Sequence, residues 1–298
     1  MAEYSGKQKI HFVTGKGGVG KSVFASSLAY AKARKGEKVL LLEIGETSYF
    51  KDFFNLAEVS HEAVSSGLGF DIALWSGESC LREYILYYLK LERILSLFFE
   101  NNVMKSLINV APGLNEISIL GKITSGVRKV GPALTYDCIV VDCYATGHAM
   151  ALLKAPRGMM EAIRFGPMGQ HSAHMFEVIK DPKICSYHIV SLLEEMPVVE
   201  SLELRAAIHA ELGVGAQIYS NKTLHPPAEN LDPIIATHAD VKEFAIYLKS
   251  VLERQEKYSN QIALTTQQKV VNDLPLVFNS DAVEIMKACA ELEFIRNL

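Results

Sequence analysis

Nine residues near the start of the chain, Thr14-Gly15-Lys16-Gly17-Gly18-Val19-Gly20-Lys21-Ser22, combine the residue types that grip phosphate. Glycines at 15, 17, 18 and 20 let backbone N–H groups, including that of Val19, turn inward on anionic oxygens. Lys21 stands where an amine reaches the β- and γ-phosphates, and the Ser22 hydroxyl where Mg²⁺ needs a ligand. Val23 follows at the helix start, close enough to line the same site. Far along the chain, Asp142 closes the apolar run Tyr136-Asp137-Cys138-Ile139-Val140-Val141. A carboxylate at such a strand end steers Mg²⁺ through its water shell. The set implies a bound nucleoside triphosphate with Mg²⁺. The plainer readings are a glycine turn that binds nothing and an aspartate that caps a strand. Lys16 is surplus to an ordinary phosphate loop, and taken alone it is a solvated charge on a loop tip.

These side chains need elements to hold them. Lys9 to Val13 reads as a buried strand and Ser22 to Lys35 as a helix stopped by Gly36. The helix thus points its partly positive N-terminus at the loop. Lys38 to Glu43 is a continuous apolar run, a buried parallel strand whose carboxyl end lies beside the loop. Ile44-Gly45-Glu46-Thr47 is then a first switch. Further strands are expected at Phe70–Trp75, Tyr136–Asp142, Cys185–Val190 and Ala216–Ser220. Helices are expected at Cys80–Phe99, Asn115–Arg128, Glu200–Leu212 and Asp240–Glu256. The pattern predicts an α/β fold, a P-loop doubly wound and mostly parallel sheet flanked by helices.

Between Pro156 and Asp181 the residues form helix with a break at Gly166-Pro167, and Met150, Met159, Met160, Met168 and Met175 are interleaved with Ile163, Phe165 and Phe176. Flexible thioethers suit either a promiscuous apolar groove or a methionine-rich core. The Cys80–Phe99 helix is apolar on more than one side, which suits core or dimer packing or an exposed client surface. His225 to Pro233 reads as a surface loop. Asp281 to Asn297 is amphipathic with more acids than bases, which argues against a basic membrane-docking tail.

The length of 298 residues and 49% hydrophobic content allow a sizeable core, and 21% charged residues are ordinary for a globular protein. A net charge of −4 speaks against general attraction to nucleic acid or anionic membrane. The five cysteines (Cys80, Cys138, Cys143, Cys185, Cys289) form no C-x-x-C pair, which fits a reducing compartment and predicts no zinc. Without an apolar leader in Met1 to Gly6 or a spanning apolar stretch, the expected location is cytoplasmic, with no stable membrane insertion.

The loop Lys-Gly-Gly-Val-Gly-Lys-Ser resembles the deviant Walker A of the MinD/ParA/ArsA class of ATPases. In that class the first lysine, here Lys16, crosses a dimer interface to the phosphates held by the other subunit. Asp142-Cys143-Tyr144-Ala145-Thr146-Gly147-His148, followed by Leu153 and Pro156, is similar to the second switch of the ArsA/GET family. It departs from that switch at Ala145, where the family has Pro, and at Ala149, where it has Thr. Ala111-Pro112-Gly113-Leu114, Leu120-Gly121-Lys122-Ile123 and Glu194-Glu195-Met196-Pro197 look like segments of bacterial anion-transporting ATPases of the same family. The resemblance implies one P-loop ATPase domain over residues 1–298, with a helical subdomain contributed by about 78–130 and 154–182. It implies ATP and Mg²⁺, and a homodimer or a heterodimer with a paralogue. It also implies Asn221 as reader of the adenine base, with the backbone around Leu274-Pro275-Leu276 as the opposite wall. Asn221 as a plain turn former is the alternative.

Aligning the first switch with the family places Gly45 where the water-positioning Asp belongs, flanked by Glu43 and Glu46. Glu46 is the expected substitute. A dimeric ATPase whose nucleotide state controls an unknown, hydrophobic client or partner protein follows from the resemblance. An ATP-gated switch that hardly hydrolyses, or a positioning ATPase of the MinD/ParA kind, are the other readings. No nucleic-acid partner is expected, and no cysteine cluster for arsenite is visible.

Overall fold

Apolar runs without polar interruption become interior strands, because both faces of a parallel sheet are covered. The computed structural model describes residues 8–89, 113–163, 167–225, 231–233, 240–267 and 272–298. In chain order these form β1 (Lys9–Gly15), α1 (Lys21–Arg34), β2 (Val39–Ile44), α2 (Phe50–Phe53), β3 (Val64–Ser65), β4 (Asp71–Trp75) and α3 (Gly77–Leu89). Then follow α4 (Leu114–Ile123), α5 (Ser125–Arg128), β5 (Cys138–Ala145), α6 (Thr146–Ala162), α7 (Pro167–Lys180), β6 (Cys185–Leu192) and α8 (Glu195–Leu212). The chain continues through β7 (Ala216–Thr223), α9 (Lys242–Thr266), β8 (Asp273–Pro275), α10 (Ala282–Ala290) and α11 (Glu293–Asn297).

The strands form one eight-stranded sheet in the order β3-β4-β2-β5-β1-β6-β7-β8, parallel except for β3 against β4. Alternate side chains feed two cores. Ile10, Phe12, Leu40, Leu42, Ile139 and Val141 pack under α4, α6, α7 and α8. Val13, Val39, Leu41, Cys138 and Val140 pack under α1, α10 and α11. The chain leaves β1 through α1 for β2 on one side and leaves β5 for β6 on the other. Loops therefore part at the carboxyl ends of β1 and β5, where α/β sheets bind ligands.

Beneath α1, on the β1–β6–β7 side, lies a buried polar strip. His11 Nδ1 is 3.0 Å from His188 Nε2, His188 Nδ1 is 3.2 Å from Tyr219 Oη, and the Tyr219 hydroxyl donates to Gln217 Oε1. With that hydroxyl donating, His188 donates from Nδ1 and accepts from His11 at Nε2, so both rings can be neutral. Burial lowers both histidines; the His188, Lys32 and Lys9 charges add to this at His11, and Lys32 adds to it at His188, which falls to about 3. Phe24 of α1 covers the strip, with ring centroids 5.7 Å from His188 and 4.7 Å from Tyr219.

Several boundaries differ from the sequence reading. β5 runs three residues past Asp142, so the acid sits within the strand rather than closing it. Pro156 lies inside α6, which starts ten residues earlier at Thr146, because a single proline only removes one backbone donor and kinks a helix whose apolar side is already packed. The expected helix from Asn115 to Arg128 is broken at Thr124 into α4 and α5. α8 begins five residues before Glu200, and α9 runs ten residues past Glu256. The expected helix Cys80–Phe99 is α3 as far as Leu89, and its remainder, Ala111, Pro112, Phe165 and most of the His225–Pro233 loop lie outside the described residues. The amphipathic end of the chain is α10 and α11 packed on α1, with Asp281 capping α10 by accepting from Val283 N at 2.8 Å.

Of the methionines, Met175 is buried, Met150, Met159 and Met160 pack against the core, and Met168 is exposed. Met168 and Met175 line an apolar cleft of about 190 Å³ with Leu81, Tyr84, Leu114 and Ile117, between α3, α4 and α7. No helix among the described residues is long and apolar enough to cross a membrane, and no group of three or more His, Cys, Asp or Glu among them could hold a metal ion.

Candidate nucleotide site

The loop after β1 is shaped by two glycines that no other residue could replace. Gly15 has φ +145°, and a Cβ there would meet the Val190 carbonyl oxygen at 2.2 Å. Gly20 caps α1 at φ +96°, and a Cβ would meet Asn221 Nδ2 at 2.1 Å. Both positions need positive φ and a bare Cα. α1 has no side-chain N-cap and no acid in its first turn, so its free N–H groups face an open cleft, a setting that favours an anion.

That cleft, of about 400 Å³, is lined by Gly18, Gly20, Lys21, Ser22, Val23, Asn221 and Pro275 among the expected residues. Gly17 is exposed at the loop tip. Val19 points its side chain into the core, and its carbonyl oxygen accepts from Asn221 Nδ2 at 2.8 Å. The other end of the Asn221 amide accepts from Lys222 N at 2.8 Å. Asn221, buried within β7, thus braces the loop while lining the cleft beside Pro275.

Ser22 donates from Oγ to Asp142 Oδ2 at 2.6 Å. Asp142 Oδ1 is buried and has no hydrogen-bond partner among the described residues. β2 and β5 pair Glu43 directly with Asp142, so two carboxylates face the N-terminus of α1 from adjacent strands. Burial pushes Asp142 up to about 7; the Ser22 hydrogen bond and Lys21 work against this, and Glu43 adds to it. A hydroxyl, an orphaned carboxylate oxygen and surplus negative charge under a phosphate loop are the donor set a hard divalent cation prefers. Ser22 and Asp142 therefore fit Mg²⁺.

The two loop lysines are engaged with protein groups. Lys21 Nζ donates to the Lys16 carbonyl oxygen at 3.1 Å, and Lys16 Nζ forms a salt bridge with Glu200 on α8. Glu46 is exposed on the loop after β2, near enough to Tyr144 to raise its hydroxyl further after burial has done so. Glu43 is buried, accepting from Ser48 Oγ at 2.6 Å and from Tyr49 N at 2.7 Å. It fixes the start of α2, which brings Tyr49 to the cleft. Three features escaped sequence reasoning: Tyr49 and Lys222 on the cleft wall, and Glu200 on Lys16. Lys222 directly follows Asn221 and Tyr49 lies two residues beyond Thr47, whereas Glu200 lies 184 positions from its partner and carries no local signal.

Glycine-shaped loop, open helix N-terminus and a carboxylate behind the Ser22 hydroxyl define a P-loop nucleotide-binding protein. A profile of the anion-transporting ATPases (ArsA ATPases) matches residues 8–168. The chain belongs to that family. It is similar to ATPase BagA of Mycobacterium tuberculosis, 27% identical over 246 residues that cover 78% of this chain and 70% of that protein. It is also similar to an ATPase ASNA1 homologue of Plasmodium chabaudi chabaudi, 27% identical over 154 residues, 52% of this chain and 38% of that protein.

Proposed function

We propose that this chain binds Mg-ATP in the cleft and hydrolyses it as a nucleotide-dependent dimer whose opening and closing control a partner protein. The observation that carries the reading is the Ser22–Asp142 hydrogen bond with Asp142 Oδ1 left unpartnered at the N-terminus of α1. Lys21 and the backbone of residues 15–22 hold the β- and γ-phosphates, and Asn221 with Pro275 flanks the base. Ser22 and Asp142 hold Mg²⁺, which when bound neutralises charge on the transferring phosphoryl group. Lys16 of each copy serves the other copy's triphosphate, a cation in trans of the kind worth about 10³–10⁵ in rate. Glu46, exposed on the first switch, orients water, while Glu43 holds the switch through Ser48 and Tyr49. The helices of residues 78–130 and 154–182 act as a subdomain that presents the apolar cleft to the partner.

Phosphate release with Mg-ATP, run beside sedimentation with the slowly hydrolysed analogue ATPγS, tests this. Turnover and a doubled mass with nucleotide support the reading, and both should vanish in Lys16→Ala. A strict monomer at saturating nucleotide, or a Lys16→Ala variant unchanged in both, overturns it. The glycine at position 45 and the exposure of Glu46 favour a second reading, an ATP-gated switch with little turnover. Single-turnover comparison of wild type with Glu46→Gln separates the two: equal, negligible phosphate release with intact ATP binding selects the switch.

A further inference from the structure

Lys16 ends on a carboxylate of its own chain. Its Nζ pairs with Glu200 in the second turn of α8, and the side chains are 36% and 25% exposed, a half-buried pair rather than a freely solvated one. The Lys16 backbone is held as well, because the amine of Lys21 rests on its carbonyl oxygen at 3.1 Å. The two loop cations are therefore parked in series. An entering triphosphate draws Lys21 off that carbonyl, since an amine binds a phosphate oxygen more strongly than a neutral carbonyl. Lys16 then remains tied only through its side chain.

Resting on the dimeric reading above, we infer that Glu200 is a positioning residue that competes with triphosphate for Lys16. It holds the amine against its own subunit until nucleotide is bound, and so sets the nucleotide concentration at which Lys16 is released. The competition is one-for-one: one carboxylate loses an ammonium and one phosphate gains it. The strength of the pair fixes the cost. A partly exposed ion pair contributes about 0.5–1 kcal/mol, or roughly 2- to 5-fold in an equilibrium. That suffices to move a threshold without blocking release.

The full-length chain, with Mg-ATPγS as the probe, allows two readouts. The first is acylation of the Lys16 amine by an N-hydroxysuccinimide ester, followed by mass spectrometry of the loop peptide. The second is affinity for a fluorescent ATP analogue. Without nucleotide, Lys16 of Glu200→Gln should be acylated about 2- to 5-fold faster than in wild type, because the ion pair no longer shields the amine. Mg-ATPγS should protect Lys16 in both proteins, at a concentration lower by a similar factor in Glu200→Gln. In a Lys16→Ala background, Glu200→Gln should leave nucleotide affinity unchanged, an outcome a merely structural role for Glu200 does not give. Equal acylation rates, an unmoved protection midpoint, or an affinity change that persists without Lys16 overturns the inference. Sedimentation of wild type in the same samples keeps the two ideas apart. A chain that stays monomeric with nucleotide defeats the dimer, while the acylation contrast still decides the role of Glu200.

Discussion

Two buried polar groups of residues lie under the same helix and behave in opposite ways. Under the N-terminus of α1, Asp142 and Glu43 bring two carboxylates together, and one oxygen of Asp142 is left without a partner among the described residues. Further along, His11, His188 and Tyr219 run as neutral groups in a hydrogen-bonded line that ends on Gln217. The first group leaves a buried carboxylate oxygen for a cation to bind in the reading proposed above; the second is nearly complete in itself, with His11 Nε2 its one acceptor without a partner among the described residues. Burial pushes a lone carboxyl up and an imidazole down, in each case toward the uncharged form. The difference lies in what can relieve the burial. A bound cation would relieve the carboxylates, whereas the histidines lie covered by Phe24 and relieve each other through hydrogen bonds. Unrelieved charge beside an open cleft marks a place where something binds, and relieved neutrality marks a place that is only packed.

Asp142→Asn attacks this contrast most directly. Mg²⁺-dependent phosphate release should fall about 10²- to 10³-fold, the range for losing one charge-organising group. The metal-free protein at pH 8 should become more stable, because the folded carboxyl near pH 7 and the unfolded one near 3.8 differ by up to about 4 kcal/mol. Calorimetry should show a melting temperature raised by about 5 °C. Lost turnover together with lost metal-free stability would make Asp142 a structural brace for Ser22 and dissolve the comparison. Gly20→Ala comes next. A Cβ 2.1 Å from Asn221 Nδ2 at a positive φ should cost about 1–3 kcal/mol and weaken ATP binding at least tenfold, read by fluorescent-analogue titration. Pairing it with Asn221→Ala should recover part of the loss, because the clash is with that amide.

The cleft was legible in the sequence because its parts are local. Glycine spacing fixes the turn, and Lys21 and Ser22 follow it within one helical turn. Likewise the mostly apolar runs of β1, β2, β5, β6 and β7 announce interior strands, although polar residues such as His11, His188 and Gln217 stand within them. What was hidden depends on distant partners or on length. β3 and β8 are two and three residues long, too short for any period to show. α6 passes through Pro156 because the packing of its apolar side outweighs one lost donor. Glu43 reads as the last apolar-run residue, and only the β2–β5 register sets it against Asp142. Glu46, the acid expected on the first switch, is exposed there. In the proposed reading its nearness to nucleotide turns on the conformation of that loop, which residue spacing does not encode. The histidine strip was equally hidden, its members lying on three strands that meet only in the folded sheet.

Opposite responses to acid give the smallest and most discriminating effect. For His188 the folded value near 3 lies below the unfolded 6.5. Its contribution is therefore fully present above pH 6.5 and is lost as pH falls toward 3, at about 1.4 kcal/mol per unit. For Asp142 the folded value near 7 lies above 3.8, so its contribution is fully present below about pH 4 and is lost as pH rises through 7. Between pH 7.5 and 5.5 the two slopes oppose each other, and urea denaturation of metal-free wild type should show a shallow dependence. Asp142→Asn removes the compensating group, so its stability should drop by about 1–3 kcal/mol over that interval. His188→Gln should do the reverse and gain about 1.4 kcal/mol relative to its own value at pH 7.5, compared with wild type. Parallel pH curves for all three proteins would mean that neither group carries its charge penalty in the folded state. The incomplete site would then be no different in kind from the packed one.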